Sequence, residues 1–177
     1  ICVSSHLIGD EIKELLQEKV FEGVLFGYSA YNFQTRQAAF DAITQHKLGA
    51  VVMNPLGGGL IPQNPELFDF LKTGSDETVV EAALRFLIAH EQITTALVGF
   101  GNSKEVQDAL KAVEGYKEIS ADGMNKIKAQ ASDNFKDLCT GWQYCDNCPE
   151  DIQIPKFMDA YNHKILYQKN DPMTGRM

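Results

Sequence analysis

The chain has 177 residues, 44% of them hydrophobic and 23% charged, with a formal net charge of -8. That length carries one domain with a sizeable core, or one domain and an appendage, and the composition excludes wholesale disorder. The acidic balance argues against a nucleic-acid or anionic-membrane surface, and no apolar run approaches the roughly 20 residues of a membrane span.

The first 110 or so residues repeat one theme: a short β-branched run, a loop, then a helical period. Ile1 to Val3 reads as the end of a strand. In the "HLIGDEIKELLQEKV" that follows, Ile8, Ile12, Leu15, Leu16 and Val20 recur at helical spacing. "GVLFGYSAY" is a second strand, followed by helical "QTRQAAFDAITQHKL"; "GAVVMNPL" is a third, followed by the glycine-rich "GGGLIPQNP". "ETVVEAALRFLIAH" is helical with Ser75 or Asp76 as N-cap. "TTALVGFG" is the fourth strand, and "SKEVQDALKAVE" the fourth helix with Ser103 as N-cap. Successive strand–helix units imply a parallel sheet, because each helix must carry the chain back before the next strand begins. Two architectures fit, an open doubly wound sheet and part of a (β/α)8 barrel. A whole barrel takes about 250 residues, so these units amount to half of one.

Beyond residue 115 the pattern changes to the polar helix "SADGMNKIKAQASDNFKDL", the cysteine stretch "LCTGWQYCDNCPEDIQIP" and helical "KFMDAYNHKILYQKN". The expected division is a barrel-like part at 1–118 and a small helical extension at 119–177, with the boundary near Lys117 to Ala121 and a frayed "DPMTGRM" tail. The opening "ICVSSHLIGDEIKELL" has no basic leader and turns acidic early, unlike a signal peptide. Cys2 stands apart from Cys139, Cys145 and Cys148. That is a poor disulfide framework, so a reducing, cytoplasmic compartment is expected. With no initiating Met and an apolar start, the chain is read as a piece of a longer protein.

In parallel α/β sheets ligands gather at the carboxyl ends of the strands. Those ends are Ser4-Ser5-His6, Tyr28 to Asn32, Met53 to Gly59 and Gly99 to Ser103. Ser4 and Ser5 can hydrogen-bond a carboxamide, and Tyr28 or Met53 can lie against a flat ring. Gly57, Gly58 and Gly59 allow close backbone approach, and Gly99 to Ser103 opens a helix whose amides favour a phosphate. Each stretch has a plainer reading as a helix cap, a flexible loop or an ordinary turn.

The strand ends "VSSH", "SAYNF", "VVMNPLGGG" and "ALVGFGNSKEVQDAL" resemble, in order, the second half of an aldo-keto reductase barrel, over roughly residues 1 to 115. The extension is similar to that of a bacterial and archaeal branch of the family, where C-T-G-C-x-Y-C-x-x-C-P precedes an I-P-x-F run; here the text is "CTGWQYCDNCP" and "IPKF". The resemblance implies an NAD(P)H-dependent oxidoreductase acting on a small-molecule carbonyl. It places Ser4 and Ser5 at the nicotinamide carboxamide and Met53 on the nicotinamide face. Asn54, Leu56 and Gly57 fall along the pyrophosphate loop, and Gly101, Asn102 and Glu105 at the adenosine 2′-phosphate end. Tyr28 falls where many members carry Gln. No Arg or Lys stands where the 2′-phosphate would need one, Lys104 being the nearby cation, which argues against a preference for NADPH over NADH. The family's catalytic Asp, Tyr, Lys and His belong to the barrel half that nothing here matches. His6 and Tyr31 read as loop and packing residues, so this chain alone is expected to be inactive.

The cysteines carry a separate question. A four-iron cluster takes four thiolates, and Trp142 stands at the second ligand position of the motif. Cys139, Cys145 and Cys148 can hold a 4Fe-4S cluster with an outside fourth ligand or, joined by His163, a tetrahedral zinc. Alternatively, the indole of Trp142 fills an empty site. Three functions remain open: a reductase fragment, a non-catalytic binding or electron-transfer module, and a metal-stapled structural domain. In each, the sheet edges need cover from a missing barrel half or from self-association.

Overall fold

The β-branched runs become four short strands, β1 (Cys2–Ser5), β2 (Gly23–Gly27), β3 (Gly49–Met53) and β4 (Ile93–Ala96), paired in parallel in that order. The computed structural model describes residues 1–74, 77–116, 118–135, 139 and 147–166. Ser75, Asp76, Lys117, Trp142, Cys145 and the "DPMTGRM" tail lie outside them, as does the side chain of His163. The chain forms two compact units, 1–133 and 134–177, so most of the polar helix after residue 120 packs with the first, whereas composition changes near 118.

Strand order decides between the two architectures. A doubly wound sheet reverses direction and carries helices on both faces. Here every crossover steps the same way, and right-handed crossovers then lay all the helices on one face. The result is half of a (β/α)8 barrel. Its helices are α1 (Gly9–Leu16), α2 (Gln37–His46), the short α3 (Leu60–Gln63), α4 (Val79–Ile88) and α5 (Ser103–Glu114), followed by α6 (Ala121–Phe135).

Register fixes which side chains face the helices. Ser5 pairs with Phe26 and Phe26 with Val52, so these residues share the helix-facing side. There Val24, Phe26, Ala50 and Val52 are at most 1% exposed, sealed by Ile12 and Leu16 of α1, Phe40 and Ile43 of α2, and Phe86 and Leu87 of α4. Ser4, Leu25 and Val51 are register partners on the opposite side, where Met53 and Thr95 also lie; these residues are half-buried or exposed. In a closed barrel that side is the interior.

Two N-caps differ from the sequence expectation. Thr78 caps α4: its hydroxyl accepts the Glu81 N–H at 3.2 Å, and the Glu81 carboxylate accepts the Thr78 N–H at 2.7 Å. Thr78-x-x-Glu81 is thus a reciprocal capping box. Asn102, not Ser103, caps α5, its side-chain oxygen accepting the Glu105 N–H at 3.1 Å. Val20, placed on the first helix by its spacing, lies beyond the end of α1 and is 57% exposed.

Buried Arg36, just before α2, ties the loop that follows β1 to the last residue of β2. Its Nε donates to the Gly27 carbonyl at 3.0 Å and its guanidinium donates to the Leu7 carbonyl. Burial holds that guanidinium below its usual pKa, and Glu11 opposes the shift.

In the second unit α7 (Ile154–Leu166) is the described helix. The Asn162 amide takes both backbone polar groups of Cys139, accepting its N–H at 2.8 Å and donating to its carbonyl at 2.6 Å. One side chain thereby imitates a strand pairing across 23 positions. Among the described residues no helix is long and apolar enough to cross a membrane.

Candidate functional site

At the carboxyl ends of β3 and β4 the sheet opens into a groove of about 440 Å³, between the loop after β3 and the first two turns of α5. Leu56, Pro62, Val80 and Val98 give it apolar walls, while Asn54, Glu105 and Asp108 supply polar groups. The loop after β3 takes this shape because its residues tolerate left-handed backbone: Asn54 has φ +54°, and Gly57, Gly58 and Gly59 have φ +64°, +67° and +97°. A Cβ placed on Gly58 would meet nothing within 4 Å, so the backbone can be approached at that residue, whereas Leu60 and Gln63 crowd Gly57 and Gly59.

On the opposite wall Glu105 organises the loop after β4. Its carboxylate accepts the Gly101 N–H at 2.7 Å and the Asn102 side-chain amide at 2.8 Å. Asp108, on the same face of α5, receives Lys104 at 2.6 Å and Lys111 at 3.1 Å. The Lys104 and Lys111 ammonium groups hold the Asp108 carboxyl below the usual carboxylate range, and Asp108 raises the Lys104 pKa in turn. Neither ammonium lines the groove.

Of the residues expected at a site, Asn54 and Leu56, in the loop after β3, and Glu105, in the first turn of α5, line this one groove. Gly57 follows in the same loop, and Gly101 and Asn102 are hydrogen-bonded to Glu105 beside it. Ser4 and Met53 sit on the open face of the sheet. Ser5 is only 6% exposed, and its hydroxyl accepts the Leu7 N–H at 3.1 Å in a local turn.

Tyr28 is a correction. Its ring is 2% exposed on the helix-facing side, edge-on to Phe40 at 4.6 Å and packed with Phe86 and His90, so it is not presented to a flat ligand ring. The alternation in "GVLFGYSAY" puts Tyr28 in phase with buried Val24 and Phe26 rather than with Leu25 and Gly27. His6 is exposed and Tyr31 half-buried.

Asp108, Val80 and Val98 were missed as groove residues. The signal for Asp108 was its position one helical turn after Glu105; Val80 gave none, since its contact depends on how α4 packs against α5. Among the described residues no group of three or more His, Cys, Asp or Glu is placed to hold a metal. Cys139 and Cys148 are half-buried. The expected ligand Cys145 and the Trp142 position are outside the described residues.

No family model matches the sequence, and no curated protein matches it. Among solved structures the chain is similar to a thermostable aldo-keto reductase, Tm1743, crystallised with the inhibitor epalrestat. The identity is 16% and the TM-score 0.58, over 73% of this chain and 47% of that one. The chain thus spans about half of that reductase's length, and the likeness shows a shared barrel fold. It does not bear on the cysteine-containing extension.

Proposed function

We propose that the chain is the cofactor-side half of an aldo-keto-reductase-like oxidoreductase, and that its groove takes the adenosine–pyrophosphate end of a nicotinamide dinucleotide. The observation that carries this reading is the convergence of Asn54, Leu56 and Glu105 on one groove at the carboxyl end of the sheet. That end is where parallel α/β folds place their ligands. The lining supports it: Gly58 leaves room for a pyrophosphate to approach the backbone, and Leu56, Pro62, Val80 and Val98 give apolar walls for an adenine.

Ser4 and Met53, on the open face, are then the groups for the carboxamide and the ring of the nicotinamide. A bound nicotinamide would supply the hydride for a small-molecule carbonyl. The proton donor would come from the complementary barrel half, which would also cover the open face, so this chain alone is proposed to be inactive.

Addition of ADP-ribose to the isotopically labelled chain is expected to shift the backbone amides of Leu56, Gly58 and Gly101 while leaving those of α1 unmoved. Absence of any shift at those loops would remove the reading.

A second reading, a cysteine-based module, has one observation in its favour: Asn162 anchors Cys139 onto the helix that follows the cysteine stretch. A 4Fe-4S cluster or a zinc on Cys139, Cys145 and Cys148 remains a proposal to be tested by metal analysis.

A further inference from the structure

α6 is held to the first unit by a narrow face. Of its 15 residues Ile127 and Ala131 are buried, at 5% and 2% exposure, while Lys126 pairs with Asp122 on the exposed side. Next to Ile127, Lys128 reaches over Phe33 in the loop that follows β2, its ammonium 6.0 Å from the ring centre. Phe33 lies edge-on to Phe86 at 6.3 Å, and Phe86 edge-on to His90 at 4.9 Å. The His90 ring is thus met by Tyr28 from the end of β2, Phe40 from α2, Phe86 and the Phe86 and Leu87 carbonyls from α4, and Lys128 from α6. Lys128 carries the only charge among these groups.

We infer that α6 is a proton-released clasp, docked over Phe33 while His90 is neutral and freed from the loop after β2 when His90 is protonated. A neutral imidazole tolerates burial beside an ammonium, whereas an imidazolium there is a like charge with little water to screen it. Freeing α6 removes that ammonium and opens one side of the ring to water. In the docked form burial, opposed by the bond to Phe86 and aided by Lys128, holds the His90 pKa down to about 4. The released form binds the proton more readily, so falling pH favours release, and docking in turn lowers the proton affinity of His90. α6 gives way before the sheet because two buried side chains and one cation–π contact fix it. β2, by contrast, is paired on both edges and sealed at Val24 and Phe26.

Amide hydrogen exchange on the full chain reads the clasp and the sheet separately. After correction for intrinsic rates, the amides of Ile127 to Ala131 are expected to lose about tenfold more protection than those of β2 between about pH 7 and about pH 4.5. His90→Gln, which cannot take up the proton, is expected to remove that difference. Lys128→Met keeps the packing over Phe33 without the charge; it is expected to shrink the difference and to raise the His90 pKa in an NMR titration, and serves if His90→Gln fails to fold. Equal loss of protection in α6 and β2 would show that α6 leaves only with the whole fold, and overturns the inference. So does an α6 response that survives His90→Gln, or a His90 titration unmoved by Lys128→Met.

Discussion

The Tyr28 hydroxyl donates to Nε2 of His90 at 2.8 Å, joining the end of β2 to the end of α4 beneath the sheet. The other ring nitrogen settles the direction. His90 Nδ1 lies 2.8 Å from the Phe86 carbonyl, which only accepts, so Nδ1 carries the proton and Nε2 is the acceptor. Burial raises the Tyr28 pKa, which suits a permanent donor. For His90, burial outweighs the bond to Phe86, and with Lys128 nearby its pKa falls from 6.5 to about 4.

A pH dependence follows. His90 is neutral in the folded chain down to about pH 4, while in the unfolded chain it protonates near its ordinary 6.5. Between those values the unfolded state binds more protons, so stability rises with pH there. The contribution is present above about 6.5 and is lost as pH falls toward 4. For this half-buried ring it is on the order of 2–3 kcal/mol. Urea denaturation from pH 4 to 7 is expected to show that slope, and His90→Gln to flatten it; a native chain with no slope beyond that of His90→Gln would refute the assignment.

How far the residues announced all this varies by kind of feature. The strand–helix alternation was legible because each unit is local: "GAVVM" followed by a helical period needs no partner to be recognised. The face taken by Tyr28 was not, since a parallel strand is buried on both sides and its apolar run marks neither as the helix side. Residues such as His90 and Arg36 act across 62 and 29 positions, and only the folded topology brings them to their partners. The Thr78-x-x-Glu81 cap was present in the text but competed with Ser75 and Asp76 just before it.

Arg85 and Glu77 close the loop that leads into α4. Arg85, 6% exposed, donates to the Leu71 carbonyl at 3.0 Å, to the Thr73 hydroxyl at 2.7 Å and to Glu77 Oε2 at 3.0 Å. Glu77→Ala strands that buried guanidinium and is expected to cost about 3 kcal/mol. Glu77→Ala with Arg85→Met should cost less than the two single changes added together, by about 1 kcal/mol or more. Strict additivity in a denaturation cycle would show that the pair is incidental.

The sheet's open side and α5 leave apolar surface uncovered. Leu97 is 48% exposed and Phe100 46%, while Val106, Leu110 and Val113 form a stripe at helical spacing on α5, with Leu110 50% and Val113 61% exposed. Covering such half-exposed side chains is worth roughly 1 kcal/mol each, about half the value for complete burial. The chain is therefore expected to associate with itself or with a complementary half barrel, and Leu110→Glu to weaken that association. A compact monomer in sedimentation velocity, with no bound partner, would count against it. The same missing wall implies that this chain alone binds intact NADPH weakly; a submicromolar dissociation constant by fluorescence titration would contradict that.

Asn162 offers a test of the second unit that does not depend on the first. Its amide serves both the N–H and the carbonyl of Cys139, so Asn162→Ala removes a hydrogen bond from each of two half-buried backbone groups. The expected cost is about 1–2 kcal/mol, with exchange of the Cys139 amide accelerated about tenfold or more. Asn162→Asp keeps an acceptor for the N–H but turns a carboxylate toward the carbonyl, and should fare no better than Ala. Unchanged exchange at Cys139 in both variants would show that the clamp is not formed in solution. The Ala variant also separates the readings of the cysteine stretch. If Cys139, Cys145 and Cys148 are metal ligands, zinc or anaerobic iron–sulfur reconstitution should restore the lost protection, because a metal bond fixes Cys139 independently of Asn162. If Trp142 instead fills an empty site, metal leaves the exchange rate where the mutation put it, and Trp142→Cys brings no gain in bound iron.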